Sequence, residues 1–324
     1  MKIEDLRYSM PTSPVDEKDF DKEKWLRENP IDYFKMVYLL LKTTNDAPSN
    51  MPHNVVMSAA FKTLYSIIRL YLPNTLYKFC SLTENKELNK MKFSTLRNKK
   101  IFMSDIKDFN DPFDGKAFFY DSNQLADIKR LRHIGGKIID DFTAFHRGAA
   151  LTQNSTGCMP MWAHYANNHQ GYCVSYDMKN PANAQLAGCT FPIQYTDQRL
   201  DITSFMKKYA EMLSSEADRQ IAQGKNQIMI DDLSIVFIAS YLCNIKQSTW
   251  QYEKEFRCTT GANAEGMPYI DATPKAIYIG MNCSKSNIED LISIAKELSI
   301  PIYKMKLDEL SEDYTLRAEH LKEN

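Results

Sequence analysis

The sequence predicts an α+β fold, a mixed and mostly antiparallel central sheet flanked by helices, with an N-terminal helical extension. Three observations carry this expectation. Short segments with period-2 alternation recur from residue 76 onward, interleaved with stretches of 3.6 periodicity. Residues 161–177 pass from helical spacing to strand alternation, with Trp162, Tyr165 and Ala166 at i, i+3 and i+4. Tyr172, Val174 and Tyr176 then alternate with Cys173, Ser175 and Asp177. Near the end, 276–280, 286–298 and 302–306 read as strand, helix and strand, a βαβ-like unit.

Residues 1–22 are polar and charged and read as a loose arm. Helical spacing over 24–42 ends in the apolar run from Met36 to Leu41, and the Pro48 and Pro52 region breaks it. A second helix is expected over 54–72, from Val56, Ala59, Ala60, Leu64, Ile67, Ile68 and Tyr71. These elements form an extension over 1–74, and 75–324 form the core domain. There, 76–80 read as a first strand, 85–96 as a helix and 101–104 as a second strand. Residues 122–150 read as a helix with Leu125, Ile128, Leu131, Ile138, Ile139, Phe142 and Phe145 on its apolar face, Gly135-Gly136 being its weak point, and 149–153 read as a strand entering the corner at 161–177. Further helices are expected over 202–222 and 231–246. A strand over 250–260 would bury Tyr252 and Phe256 and line Glu253, Glu255 and Arg257 on its other face. Gly171 is expected as a helix-ending residue of positive φ. Ser286-Asn287-Ile288-Glu289 reads as a capping box, and the tail after Asp308 as frayed.

Composition excludes several classes. A hydrophobic content of 44%, a charged content of 25% and a net charge of −1 fit a globular chain with no global field for nucleic acid or anionic membrane. No apolar run approaches the roughly 20 residues that span a bilayer. Seven scattered cysteines, an odd number, and no recognisable signal peptide point to a reducing cytoplasm. His164 and His169 are i, i+5, the wrong spacing for two ligands on one helix face, so no structural metal is expected. With only 11 glycines, and neither a Gly-x-Gly-x-x-Gly nor a Walker loop, the usual phosphate cradles are missing.

Three stretches hold the residues suited to chemistry. The corner at 161–177 gathers Trp162, His164, Tyr165, Asn167, Asn168, His169 and Gln170. The loop Phe109-Asn110-Asp111-Pro112-Phe113-Asp114 is rich in carboxylates, suited either to oxygen-ligated cations or to Asx turns. The third is Tyr252-Glu253-Lys254-Glu255-Phe256-Arg257. One guanidinium cannot pair bidentately with both carboxylates, so one glutamate is left to act on a ligand; the other reading is a surface salt-bridge ladder.

Taken in order, these stretches resemble a bacterial family, the domain-of-unknown-function 2971 family, over about 76–307. The strand at Tyr77-Lys78-Phe79 matches its first strand, 109–114 its Phe-Asn-Asp-Pro-Phe-Asp loop, and 162–171 its Trp-x-His-Tyr-Ala-x-x-His-x-Gly corner. Residues 252–257 match its Tyr-Glu-x-Glu-aromatic-Arg strand, with the strand near Ile277 behind. The layout further resembles ADP-ribosyltransferases, which bind NAD without a glycine-rich loop. Lys78 stands where those enzymes carry His or Arg, and 152–155 stand for their Ser/Thr-x-Ser/Thr strand.

That second resemblance implies NAD as substrate and an acceptor yet to be identified. Glu255 or Glu253 would be the catalytic carboxylate and Tyr165 or Trp162 the stacking platform. His164, His169 and Asn110 would orient ribose or phosphate, with Arg257, Lys78 and Tyr77 nearby. It would be a transferase or NAD glycohydrolase acting in bacterial defence or conflict. Two alternatives stand beside it. One is a metal-dependent hydrolase or nuclease built on Asp108, Asn110, Asp111 and Asp114 with Glu253 and Glu255. The other is a non-catalytic module whose N-terminal helices dock a protein partner.

Overall fold

A computed structural model describes residues 1–2, 5, 20–46, 50–138, 146–229, 234–261 and 268–321. The chain divides into two packed units. One is built from Met1–Tyr71, Asp105–His146 and Ile193–Ser248, the other from Leu72–Ser104, Arg147–Pro192 and Thr249–Asn324.

The second unit is organised on a sheet. Its strands are β1 (Thr75–Cys80), β2 (His146–Thr152), β3 (Tyr172–Asp177), β4 (Thr190–Pro192), β5 (Glu255–Gly261), β6 (Pro274–Ile279), β7 (Ile302–Leu307) and β8 (Leu316–His320). They lie in the order β8-β7-β6-β3-β1-β2-β5-β4, and a ninth, two-residue strand, Ser104–Asp105, pairs with β2 off this path. The β3 strand pairs antiparallel with both β1 and β6, and the β6–β7 pair is parallel. Helix α3 (Lys285–Leu298) makes the crossover between β6 and β7, so the expected βαβ unit and the mixed, mostly antiparallel α+β architecture are both present.

Alternation sorts the side chains onto two faces. Leu76, Leu151, Tyr172, Val174, Tyr176, Phe256, Cys258, Ile277 and Ile279 pack with Phe93 and Leu96 of helix α1 (Lys86–Arg97) and with Leu291, Ile294 and Ala295 of α3. Each large apolar side chain so buried contributes roughly 1.5–3 kcal/mol. On the opposite face Phe79, Cys173, Met305 and Leu316 pack with Met161 and Trp162 of a short helix, α2 (Met159–Tyr165). As the central strand, β3 is buried on both faces from Tyr172 to Tyr176.

The turn from α2 into β3 departs from the expected geometry. Asn167, Asn168 and His169 are in the left-handed region in succession (φ 47°, 52° and 66°), whereas Gly171 is not. Asn and His are among the residues that tolerate this region best. Gly171 is needed for a different reason: a Cβ there would lie 2.1 Å from the Cys80 carbonyl oxygen. Gly280 is alike, because its Cβ would lie 2.1 Å from the His169 carbonyl oxygen.

Other expectations are corrected. Residues 122–150 are not one helix: Ser122–Leu125 is one helical turn, Arg132–Ile134 a 3₁₀ turn, and His146–Thr152 a strand. Gly135 and Gly136, at φ 61° and 72°, end the pattern rather than weakening it. Ile139, Phe142 and Phe145, most of the arm over 1–22, and 231–233 lie outside the described residues. The 24–42 segment splits into Lys22–Glu28 and Tyr33–Asn45 around Pro30. The N-cap of α3 is Ser284, which accepts from the Asn287 amide, so the capping box at Ser286 is not used. The tail contributes β8, antiparallel to β7.

The first unit is mainly helical. Tyr33, Phe61 and Tyr241 stack face to face, with centroids 5.9 and 4.9 Å apart, joining Tyr33–Asn45, His53–Ile68 and Ser234–Leu242. His146 is buried there, with Nε2 3.1 Å from Ser240 Oγ and Nδ1 without a partner. Burial lowers its pKa to about 4. Among the described residues no helix is long and apolar enough to cross a membrane.

Two outcomes are expected. Gly171→Ala should destabilise the protein by about 2–3 kcal/mol in urea unfolding, because backbone must move to admit the methyl group. The unfolded chain protonates His146 near pH 6.5, while the folded chain resists until about pH 4. Stability therefore falls as pH drops through that window, by about 2 kcal/mol at pH 5. A His146→Gln variant should lose about that much less stability than wild type between pH 7 and pH 5.

Candidate functional site

The site assembles on the α2 side of the sheet, within the second unit. Phe256 and Cys258 point to the α1–α3 face, so Glu255 and Arg257 of β5 point to the α2 face. Glu253 precedes β5 in a 3₁₀ segment, Ser248–Glu253, and Lys254 (φ 44°) turns the chain from that segment into the strand. Residues 250–260 are therefore not one continuous strand. The two glutamates are placed by different backbone conformations.

Their environments differ accordingly. Glu255 and Arg257 are both buried, with Arg257 Nε donating to Glu255 Oε1 at 2.9 Å. The expected surface ladder is thus an interior ion pair, and Arg257 neutralises Glu255. Glu253 is also buried, and its Oε1 accepts a hydrogen bond from the Tyr165 hydroxyl at the end of α2. Thr152 Oγ1 and Asn154 Nδ2 donate to the Glu253 carbonyl oxygen at 2.5 and 3.1 Å, and Asn154 Nδ2 also donates to the Tyr252 carbonyl at 2.6 Å. The end of β2 thereby fixes the backbone that carries the carboxylate. Thr152 and Asn154 were not expected as site residues; the signal for them was the 152–155 match to a Ser/Thr-x-Ser/Thr strand.

The other candidates are distributed unevenly. Tyr165 is half-buried. His164 is exposed, its ring 6.4 Å from Tyr165 and 6.2 Å from Tyr252. Tyr77 lies on the same face, opposite Thr152 in register and 6.2 Å from Tyr278 ring to ring; burial raises the pKa of both phenols. Trp162 offers no platform to a ligand. It is fully buried, edge-on to Phe79 at 5.0 Å and stacked against His169 at 6.0 Å, with Nε1 donating to the Thr156 carbonyl at 2.6 Å. His169 packs on that indole. Burial lowers its pKa, and Nδ1 is buried without a partner. Lys78 falls on the α1–α3 side by alternation, and its Nζ donates to the Ala150 carbonyl at 3.3 Å. Asn110 is in the other unit and is exposed there. Among the described residues no group of three or more His, Cys, Asp or Glu side chains is placed to hold a metal ion.

Both halves of this arrangement, the α2 corner and the glutamate strand, lie within one stretch of sequence. Residues 161–258 match the family described as "Protein of unknown function (DUF2971)". The family resemblance is borne out over that span, which leaves out the loop at 109–114 and the strand at Tyr77. No curated protein and no solved structure matches the chain. The match thus begins at the residue that opens the corner and ends just past Arg257.

Removing the phenol tests the central contact. Tyr165→Phe should cost about 1.5–3 kcal/mol by urea unfolding, as expected for a hydrogen bond to a charged group. Combined with Glu253→Gln, it should cost clearly less than the sum of the two single changes, the sign of direct coupling.

Proposed function

We propose that this chain is an NAD-using enzyme of the ADP-ribosyl transfer type, either a transferase or the corresponding glycohydrolase, with Glu253 as its catalytic carboxylate. The observation that carries this reading is the buried Glu253 carboxylate bonded to Tyr165, whose ring packs with the aromatics of the α2 face of the sheet. Loss of nicotinamide from NAD breaks the bond between the ribose anomeric carbon and the ring nitrogen, and the electron pair leaves with nicotinamide. The ribose becomes oxocarbenium-like, the electronic problem that glycosidases also solve with carboxylates. A fixed carboxylate accepting from a ribose hydroxyl stabilises that cation. Water or an acceptor hydroxyl then forms the new bond at the same carbon and releases its proton to solvent. Tyr165 holds Glu253 and presents its ring to the nicotinamide. Glu253 is preferred to Glu255 because Tyr165 of the corner holds its carboxylate directly.

This chemistry suits a chain with few glycines and no phosphate-cradling loop, and it needs no metal ligands. Consumption of NAD in a reducing cytoplasm would equip the protein for defence or conflict. Calorimetry with NAD should give saturable binding, and wild type should release nicotinamide. Glu253→Gln should lower that release by about 100-fold or more while leaving NAD affinity within about threefold. Absence of NAD binding, or turnover unchanged in Glu253→Gln, would overturn the reading.

A further inference from the structure

In the first unit two short parallel strands, Gln194–Thr196 and Ile245–Gln247, pair beside a cleft of about 280 Å³ that Thr196 and Ile245–Gln247 line. Two exposed cations, Lys116 and Arg199, line it together with Asp197. Lys246 is buried in the wall. Two backbone carbonyls hold the Arg199 guanidinium. Its Nε donates to Lys116 at 2.7 Å and its Nη2 to Phe118 at 3.3 Å. The same group lies 5.8 Å from the Phe113 ring centroid and 5.0 Å from that of Phe119. Arg199 is therefore pre-oriented, and its fork suits the oxygens of a phosphate. Phe113 lines the cleft and is 53% exposed, so a face of its ring is open to a ligand.

We infer that this cleft binds a phosphate ester carrying a flat ring, of the nucleoside monophosphate class. The phosphate is held by Arg199 and Lys116, and the ring stacks on Phe113. A cleft of about 280 Å³ accommodates one ring and one phosphate. The site is independent of the proposal for Glu253, which involves the other unit.

Adenosine monophosphate and inorganic phosphate are the probes, titrated into the full chain by calorimetry at low salt. Adenosine monophosphate should bind at least about fivefold more tightly than phosphate, and Phe113→Ala should remove most of that difference. Lys116→Gln and Arg199→Gln should each weaken the nucleotide about tenfold. Lys116 is exposed, so Lys116→Gln should keep the wild-type thermal unfolding midpoint, which separates loss of binding from loss of fold. Equal binding of the two probes, no binding of either, or nucleotide affinity unchanged in Lys116→Gln would overturn the assignment.

Discussion

The second unit depends on a close approach of backbones. Between α2 and β3 the chain takes three successive left-handed residues, then passes so near β1 that only glycine fits at position 171. The end of β6 locks the same corner: the Gly280 amide donates to the Gly171 carbonyl at 2.9 Å and the Asn282 amide to the His169 carbonyl at 3.0 Å. Asn167 and Asn282 add side-chain bonds to the Leu82 and Asn168 carbonyls. This knot of main chain fixes the height and direction of α2 above the sheet. Everything on that face follows from it, including the seat of Trp162 and the reach of Tyr165 to Glu253.

The corner also shows how residues that look chemical can be used for conformation. Asn167, Asn168 and His169 form a polar cluster by composition, yet their backbone angles explain their identities without a ligand. Trp162 explains itself as a wedge between Phe79 and His169. The acidic segment has a comparable division of labour. Glu255 pairs with Arg257, and Glu253 is set apart by the kink at Lys254 and held at its carbonyl by Thr152 and Asn154.

The architecture was legible where periodicity is local. The strands at Thr75–Cys80, Tyr172–Asp177, Pro274–Ile279 and Ile302–Leu307 follow directly from alternation, and α1 and α3 from 3.6 spacing. It was illegible where long-range pairing decides. Leu316–His320 carries Arg317, Glu319 and His320 and reads as a frayed tail, yet it is a strand because β7 offers an edge to pair with. Apolar spacing at 125–138 imitates a helix, but the two positive-φ glycines break it. Of the candidate site, sequence identified the two segments that meet and both partners of the Tyr165–Glu253 contact. It could not tell which glutamate Arg257 would occupy, which face Lys78 would take, or that Trp162 would be interior, since each depends on tertiary packing.

The sheet is assembled from three distant stretches of chain: β1 from the first, β2 to β4 from the second, and β5 to β8 from the third. Its middle strand, β3, is flanked by one neighbour made about a hundred residues earlier and another made about a hundred residues later. During synthesis the β3 edge that awaits β6 stays open until the third stretch leaves the ribosome, with its amides and carbonyls unpaired. A topology of such high contact order folds slowly and exposes strand edges on the way. The vulnerable moment for this protein is thus its birth, when chaperone capture or mispairing competes with closure of the sheet.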